Sequence, residues 1–159
     1  MAIEKGVPAG FHTITPSLTV RRCSEAIEFY KRALGAEELS CHQGPDGMVM
    51  HADLKIGGSI FMCNDEFPQM GVLSPEGIGG TPVGMYVYVA DADALYNRAT
   101  GAGATVVMPI ADMFWGDRCG VVNDPYGHRW TIATRKEELT PAQLAERQKA
   151  AMAEFKAKK

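Results

Sequence analysis

The densest run of chemically able side chains is M-F-W-G-D-R-C-G-V-V-N-D-P-Y-G-H-R-W, Met113 to Trp130. Within it Trp115 offers a flat apolar face, Asp117 a charged acceptor and Arg118 a rigid donor fork. Such a set suits the clamping of a planar or anionic ligand. The competing role is structural: an Asp–Arg pair stapling a loop or a subunit contact, with Trp115 filling core space. Trp130 reads as a core anchor, and Asp124 and Pro125 as turn residues. Of the four histidines, His51 stands in mid-strand between Met50 and Ala52. It is a candidate for acid–base work, with Asp117 or Arg118 as base or electrophile. His12, His42 and His128 lie beside turns or strand ends, where structural or solvent roles dominate. Cys23, Cys41, Cys63 and Cys119 are widely spaced with no C-x-x-C pair, which suits reduced thiols better than a zinc knuckle or disulfide frame. The glycines of G-I-G-G-T, Gly77 to Thr81, do not lead from a strand into a helix, so no phosphate loop is expected. No Ser occupies a G-x-S-x-G elbow.

The elements that position these residues recur. F-Y-K-R-A-L-G-A, Phe29 to Ala36, returns as L-Y-N-R-A-T-G-A, Leu95 to Ala102. Each copy ends an amphipathic helix. Ala26, Ile27, Tyr30, Ala33 and Leu34 form one apolar stripe behind Ser24 as N-cap, and Ala92, Leu95, Tyr96 and Ala99 the other behind Asp91. Gly35 and Gly101 stand where a left-handed C′ residue is expected. Before the first helix, T-I-T-P-S-L-T-V alternates as a strand, with Ile14, Leu18 and Val20 opposite Thr13, Thr15, Ser17 and Thr19. Before the second, Met85, Val87 and Val89 alternate with Tyr86 and Tyr88. Three strand-like runs follow each helix: 36–42, 48–54 and 59–63, then 104–108, 117–123 and 128–134. The last pair is joined by the D-P-Y-G turn. The chain therefore reads β-α-β-β-β twice, over 10–63 and 83–135. A Gly/Pro-rich linker over 64–82 lies between them, and a polar helical tail occupies 136–159.

This order of elements, with M-H-A-D-L-K-I-G-G-S, D-M-F-W-G-D-R-C-G and D-P-Y-G-H-R-W, resembles the vicinal oxygen chelate superfamily. That group includes glyoxalase I, extradiol dioxygenases, fosfomycin-resistance enzymes and bleomycin-binding proteins; the motifs are most similar to its PhnB-like branch. The resemblance covers about residues 10 to 135. It implies an α+β fold in which two βαβββ modules form a curled mixed sheet with helices on the outside, and it suggests dimers. In metal-bearing members the first and fourth strands of each module carry His, Gln or Glu ligands. Carried over, those positions fall on Thr15, Phe61, Gly84 or Met85, and Thr131, none of them a good ligand in an N/O site. The inherited metal site is thus expected to be missing, although a divalent metal on relocated ligands is not excluded. By strand parity, pocket lining is expected from Thr15, Ser17, Phe61, Tyr86 and Thr131, joined by Trp115, Asp117 and Arg118. Tyr88 shares the face of Tyr86 nearer the strand end.

Bulk properties narrow the partners. A net charge of −3 over 159 residues provides no basic field for nucleic acid or an anionic membrane. Apolar runs fall short of the roughly 20 residues a bilayer span needs. M-A-I-E-K-G-V-P lacks a basic segment followed by an apolar core, so a cytoplasmic protein is expected. The expected function is metal-independent binding of a small apolar or aromatic molecule, without cofactor. The alternative is a lyase, isomerase or dioxygenase of this superfamily using a relocated metal or a metal-free acid–base site. A third possibility, an interaction module with no pocket, would show a filled concavity packed with Phe61, Tyr86 and Met85.

Overall fold

The computed structural model describes residues 6–158; Met1–Lys5, part of the stretch read for a leader, and Lys159 lie outside it. The first half runs β1 (Ser17–Val20), α1 (Cys23–Leu34), β2 (Glu37–Gln43), β3 (Val49–Ile56) and β4 (Ser59–Asp65). A 3-10 turn at Pro68–Met70 and a short helix α2 (Pro75–Ile78) cross to the second half. There follow β5 (Gly84–Tyr88), α3 (Ala92–Gly101), β6 (Thr105–Asp112), β7 (Asp117–Asn123), β8 (Arg129–Arg135) and the tail helix α4 (Pro141–Ala157). The strands form two four-stranded sheets, ordered β1-β4-β3-β2 and β5-β8-β7-β6. In each, the first strand runs parallel to the last and the other pairs are antiparallel. This is the twice-repeated β-α-β-β-β order that the periodicity predicts, in the α+β class that the resemblance implies.

Local chemistry departs from expectation in three places. Ser24 does not cap α1. Arg22 occupies that position in a left-handed conformation, φ 57°, and the Cys23 N–H donates instead to the buried Asp65 carboxylate at 2.9 Å. A residue from β4 thus takes over a cap that local sequence assigns to a neighbour. Gly35 ends α1 at φ 67° as expected, but Gly101 stays helical and Gly103, φ 116°, makes the left-handed turn after α3. Asp91 does cap α3, accepting from the Ala94 N–H at 3.0 Å. β1 begins only at Ser17, because residues 13–15 have no partner strand. Ile14 is 86% exposed there, and Thr15 turns its hydroxyl onto the His12 carbonyl at 3.1 Å.

Both helical stripes are buried on one face of each sheet, and those two faces meet. Phe61 of β4 and Trp130 of β8 are edge-to-face at 5.9 Å, with Tyr30 of α1 5.8 and 5.6 Å from them. The aromatic contact adds about 0.5–1.5 kcal/mol per pair beyond simple burial. Asp124 pins this junction. Its buried carboxylate accepts from the Tyr30 hydroxyl (2.8 Å), Trp130 Nε1 (2.9 Å) and the N–H groups of Tyr126 and His128 (2.9 Å each). His128 Nε2 meets the Thr19 carbonyl at 3.0 Å, tying the second half to β1. Arg98 of α3 donates to the Lys31 and Arg32 carbonyls in the last turn of α1 at 3.0 and 2.7 Å, satisfying acceptors that the helix itself leaves open. With their helix-bearing faces joined, the two sheets keep their opposite faces open.

Candidate functional site

Alternation on β5 sends Met85 and Val87 inward and leaves Tyr86 and Tyr88 on the open face of the second sheet, 47% and 56% exposed. Their rings lie 5.1 Å apart. Thr131 on β8 is the register partner of Tyr86, and Val121 on β7 that of Thr131, so these side chains share the face. Asp117 opens β7 beneath the rings and is 1% exposed. Its Oδ2 accepts from the Tyr86 hydroxyl, the Tyr88 hydroxyl and Trp115 Nε1, each at 3.0 Å. Arg135 Nε lies 2.6 Å from Oδ1, a charge contact too poorly aligned for a hydrogen bond. Burial alone would push the Asp117 carboxyl upward, but the three donors and Arg135 outweigh it and hold it below the usual carboxylate range. The Tyr86 hydroxyl is pushed above its usual value by desolvation and by its bond to Asp117. All three aromatic residues therefore turn their polar ends down to one carboxylate and present ring surface outward.

A cleft of about 530 Å³ adjoins this aromatic surface, within the range of small-molecule sites. It runs between the β3–β4 turn and β5, with Phe61, Trp130, Met85 and Val87 along it and Tyr86 and Tyr88 at its border. Gly57 and Gly58 form the facing turn and contribute no side chain to fill it. The structurally equivalent turn in the second half carries His128, which spans to β1.

Of the residues singled out in the sequence, Tyr86, Trp115, Asp117 and Thr131 come together. Arg118 does not join them. Adjacent strand residues point to opposite faces, and Arg118 reaches back to Asp93 at 2.7 Å and Asp112 at 3.2 Å, stapling α3 to β6. Thr15 sits in the segment before β1. Phe61 packs in the aromatic core and lines the cleft rather than the open face. Ser17 and His51 lie on the open face of the other sheet. His51 Nε2 contacts Asp53 Oδ1 at 2.9 Å, and Ser40 donates to Asp53 Oδ2 at 2.9 Å. Parity left Tyr88 at the margin and missed Arg135, Asp53 and His42; the His51-x-Asp53 spacing was the one local signal for the last cluster.

The positions that would carry metal ligands hold a loop threonine, a core phenylalanine, a glycine or methionine, and a strand threonine. Among the described residues no group of three His, Cys, Asp or Glu side chains is placed to hold a metal ion. The side chains present do not fit that group. No described helix is long and apolar enough to cross a membrane.

Comparison with known proteins agrees with this architecture. The uncharacterized protein Mb0911c of Mycobacterium bovis is 45% identical over 129 residues, 79% of this chain and 85% of that one. The structure of an Arabidopsis thaliana gene product is similar at TM-score 0.63 and 29% identity, over 77% of this chain and 98% of that one. A PhnB protein from Bacillus cereus shares the fold at TM-score 0.58 and 22% identity, over 77% of this chain and 99% of that one. A family model matches residues 10–132, and the chain belongs to the Glyoxalase/Bleomycin resistance protein/Dioxygenase superfamily.

Proposed function

We propose that this protein binds a small, planar, apolar or aromatic molecule on the open face of its second sheet and in the adjoining cleft, without a resident divalent metal. One observation carries it: Tyr86, Tyr88 and Trp115 anchor their polar groups on the single buried carboxylate of Asp117. The donors are spent internally, so what remains toward a ligand is ring surface, which recognises flat apolar groups by stacking and area burial. Asp117 and Arg118 do not support an acid–base pair here, since one is saturated beneath the rings and the other faces away. The exposed tyrosines favour a second copy of the chain completing this face, which makes the protein a homodimer. The four cysteines, none in a disulfide, fit a cytoplasmic setting, and the motif pattern favours the PhnB-like branch.

Titration with a neutral naphthalene derivative tests the proposal, followed by Trp115 fluorescence with Trp115→Phe as the control for Trp130. Saturable quenching is expected, with Tyr86→Ala weakening affinity about tenfold, as the loss of one stacking contact predicts. Unchanged affinity in the Tyr86→Ala/Tyr88→Ala double variant would overturn the site. Stoichiometric metal in protein purified without metal affinity, together with turnover of a chelating substrate, would overturn the metal-free reading.

A further inference from the structure

The open face of the first sheet carries a different chemistry. His51 and Asp53, two apart on β3, point to the same side, and Asp53 receives both His51 Nε2 and the Ser40 hydroxyl at 2.9 Å. A carboxylate only accepts, so the proton of neutral His51 resides on Nε2 and the lone pair on Nδ1. Among the described residues Nδ1 has no hydrogen-bond partner. His42, opposite in register on β2, stacks 6.5 Å away with its ring inclined by 27°, walling one side. His51 is 41% exposed and Asp53 20%, so the base is reachable while its partner is sheltered.

We infer that His51 is a metal-free general base, oriented by Asp53, for a small molecule bearing a weakly acidic C–H next to an electron-withdrawing group. The hydrogen bonds leave a base and no nucleophile. Ser40 spends its proton on Asp53 rather than on His51, so it is not an activated nucleophile. Cys41, next to Ser40 on β2, belongs to the opposite, helix-bearing face and packs against the core. The lone pair is left to act on a proton of a bound molecule. Asp53 is a positioning residue that fixes the tautomer and stabilises the imidazolium formed by the transfer. The site lies on the sheet opposite to the aromatic surface, so loss of the binding proposal leaves this one standing, and the reverse.

The experiment presents the full chain with a nitro-substituted benzisoxazole. In its elimination the base takes the ring C–H proton, the released electron pair forms the nitrile and the N–O bond breaks to give a coloured phenolate. A rate about 100-fold above free imidazole at equal concentration is expected. His51→Ala should fall to background and regain rate with added imidazole, while a folded circular-dichroism spectrum shows that structure is kept. Asp53→Asn should lower kcat about tenfold at unchanged KM, with partial recovery in Asp53→Glu. Wild-type rates no better than imidazole, or His51→Ala at the wild-type rate, would overturn the inference. Asp53→Asn moving only KM would remove Asp53 from it.

Discussion

Replacing Asp117 by Ala removes the acceptor shared by Tyr86, Tyr88 and Trp115. A hydrogen bond to a charged acceptor contributes about 1.5 kcal/mol net at the low end, so three give about 4.5 kcal/mol. The tyrosines are roughly half exposed, and water replaces part of what they lose. Arg135, also exposed in part, is resolvated in the same way. The expected loss is therefore about 2–3 kcal/mol, lowering Tm by about 5–10 °C for a chain of this size. Urea unfolding followed by circular dichroism measures it, and Trp115 emission should change in the same variant because Nε1 loses its partner. The pH dependence has a definite sign. Asp117 is held below the usual carboxylate range, so its contribution is complete above about pH 4, the unfolded value. It is lost as pH falls through the depressed folded value. Asp117→Asn, which keeps an acceptor, should lose less at neutral pH and show a shallower acid limb than wild type. An unfolding free energy within about 0.5 kcal/mol of wild type for Asp117→Ala would refute the claim that this carboxylate organises the aromatic face.

Three further perturbations probe what positions that face. Tyr30→Phe deletes one bond to the buried Asp124 and should cost about 1.5–2 kcal/mol in urea unfolding; no loss would remove Asp124 as the pin between halves. Gly120→Ala places a Cβ 2.6 Å from Tyr96 Cε2 and 3.1 Å from Ile110 Cα, an overpacking expected to cost about 1–3 kcal/mol. A neutral result in the same denaturation series would mean that α3 does not sit tightly on β7. Glu66 is lowered to about 2 by the Ser74 hydroxyl and then Arg21. Its contribution is present above the usual carboxylate range and disappears as pH falls toward 2, so Glu66→Gln and wild type should converge in thermal midpoint at acid pH and diverge near neutrality.

The distribution of legible and illegible features follows from how far each interaction reaches along the chain. The helical stripes around Tyr30 and Tyr96, the left-handed Gly35, the Asp91 cap and the D-P-Y-G turn are set by neighbours within one turn or one hairpin, and sequence spacing exposes them. Asp124 shows the limit. Locally it is a turn residue, yet Tyr30 donates to it from 94 residues upstream, a contact that exists only once the helix-bearing faces meet. Asp117 and Arg118 show a correctable case: neighbours on one strand cannot both face a ligand, so parity alone excludes the fork from the clamp. Parity cannot say which of the two faces the tyrosines, because β5 reaches β7 only through β8 and the answer depends on register in two ladders. The same holds on the first sheet, where His51-x-Asp53 is visible in one strand but Ser40 and His42 are set opposite it by the bulge at Leu39 in β2. That bulge inserts a residue and flips the faces beyond it. A one-residue change at Leu39 would send those side chains to the other face without altering any motif in β3, so chemistry assembled across strands is specified by the ladder as much as by the residues it carries.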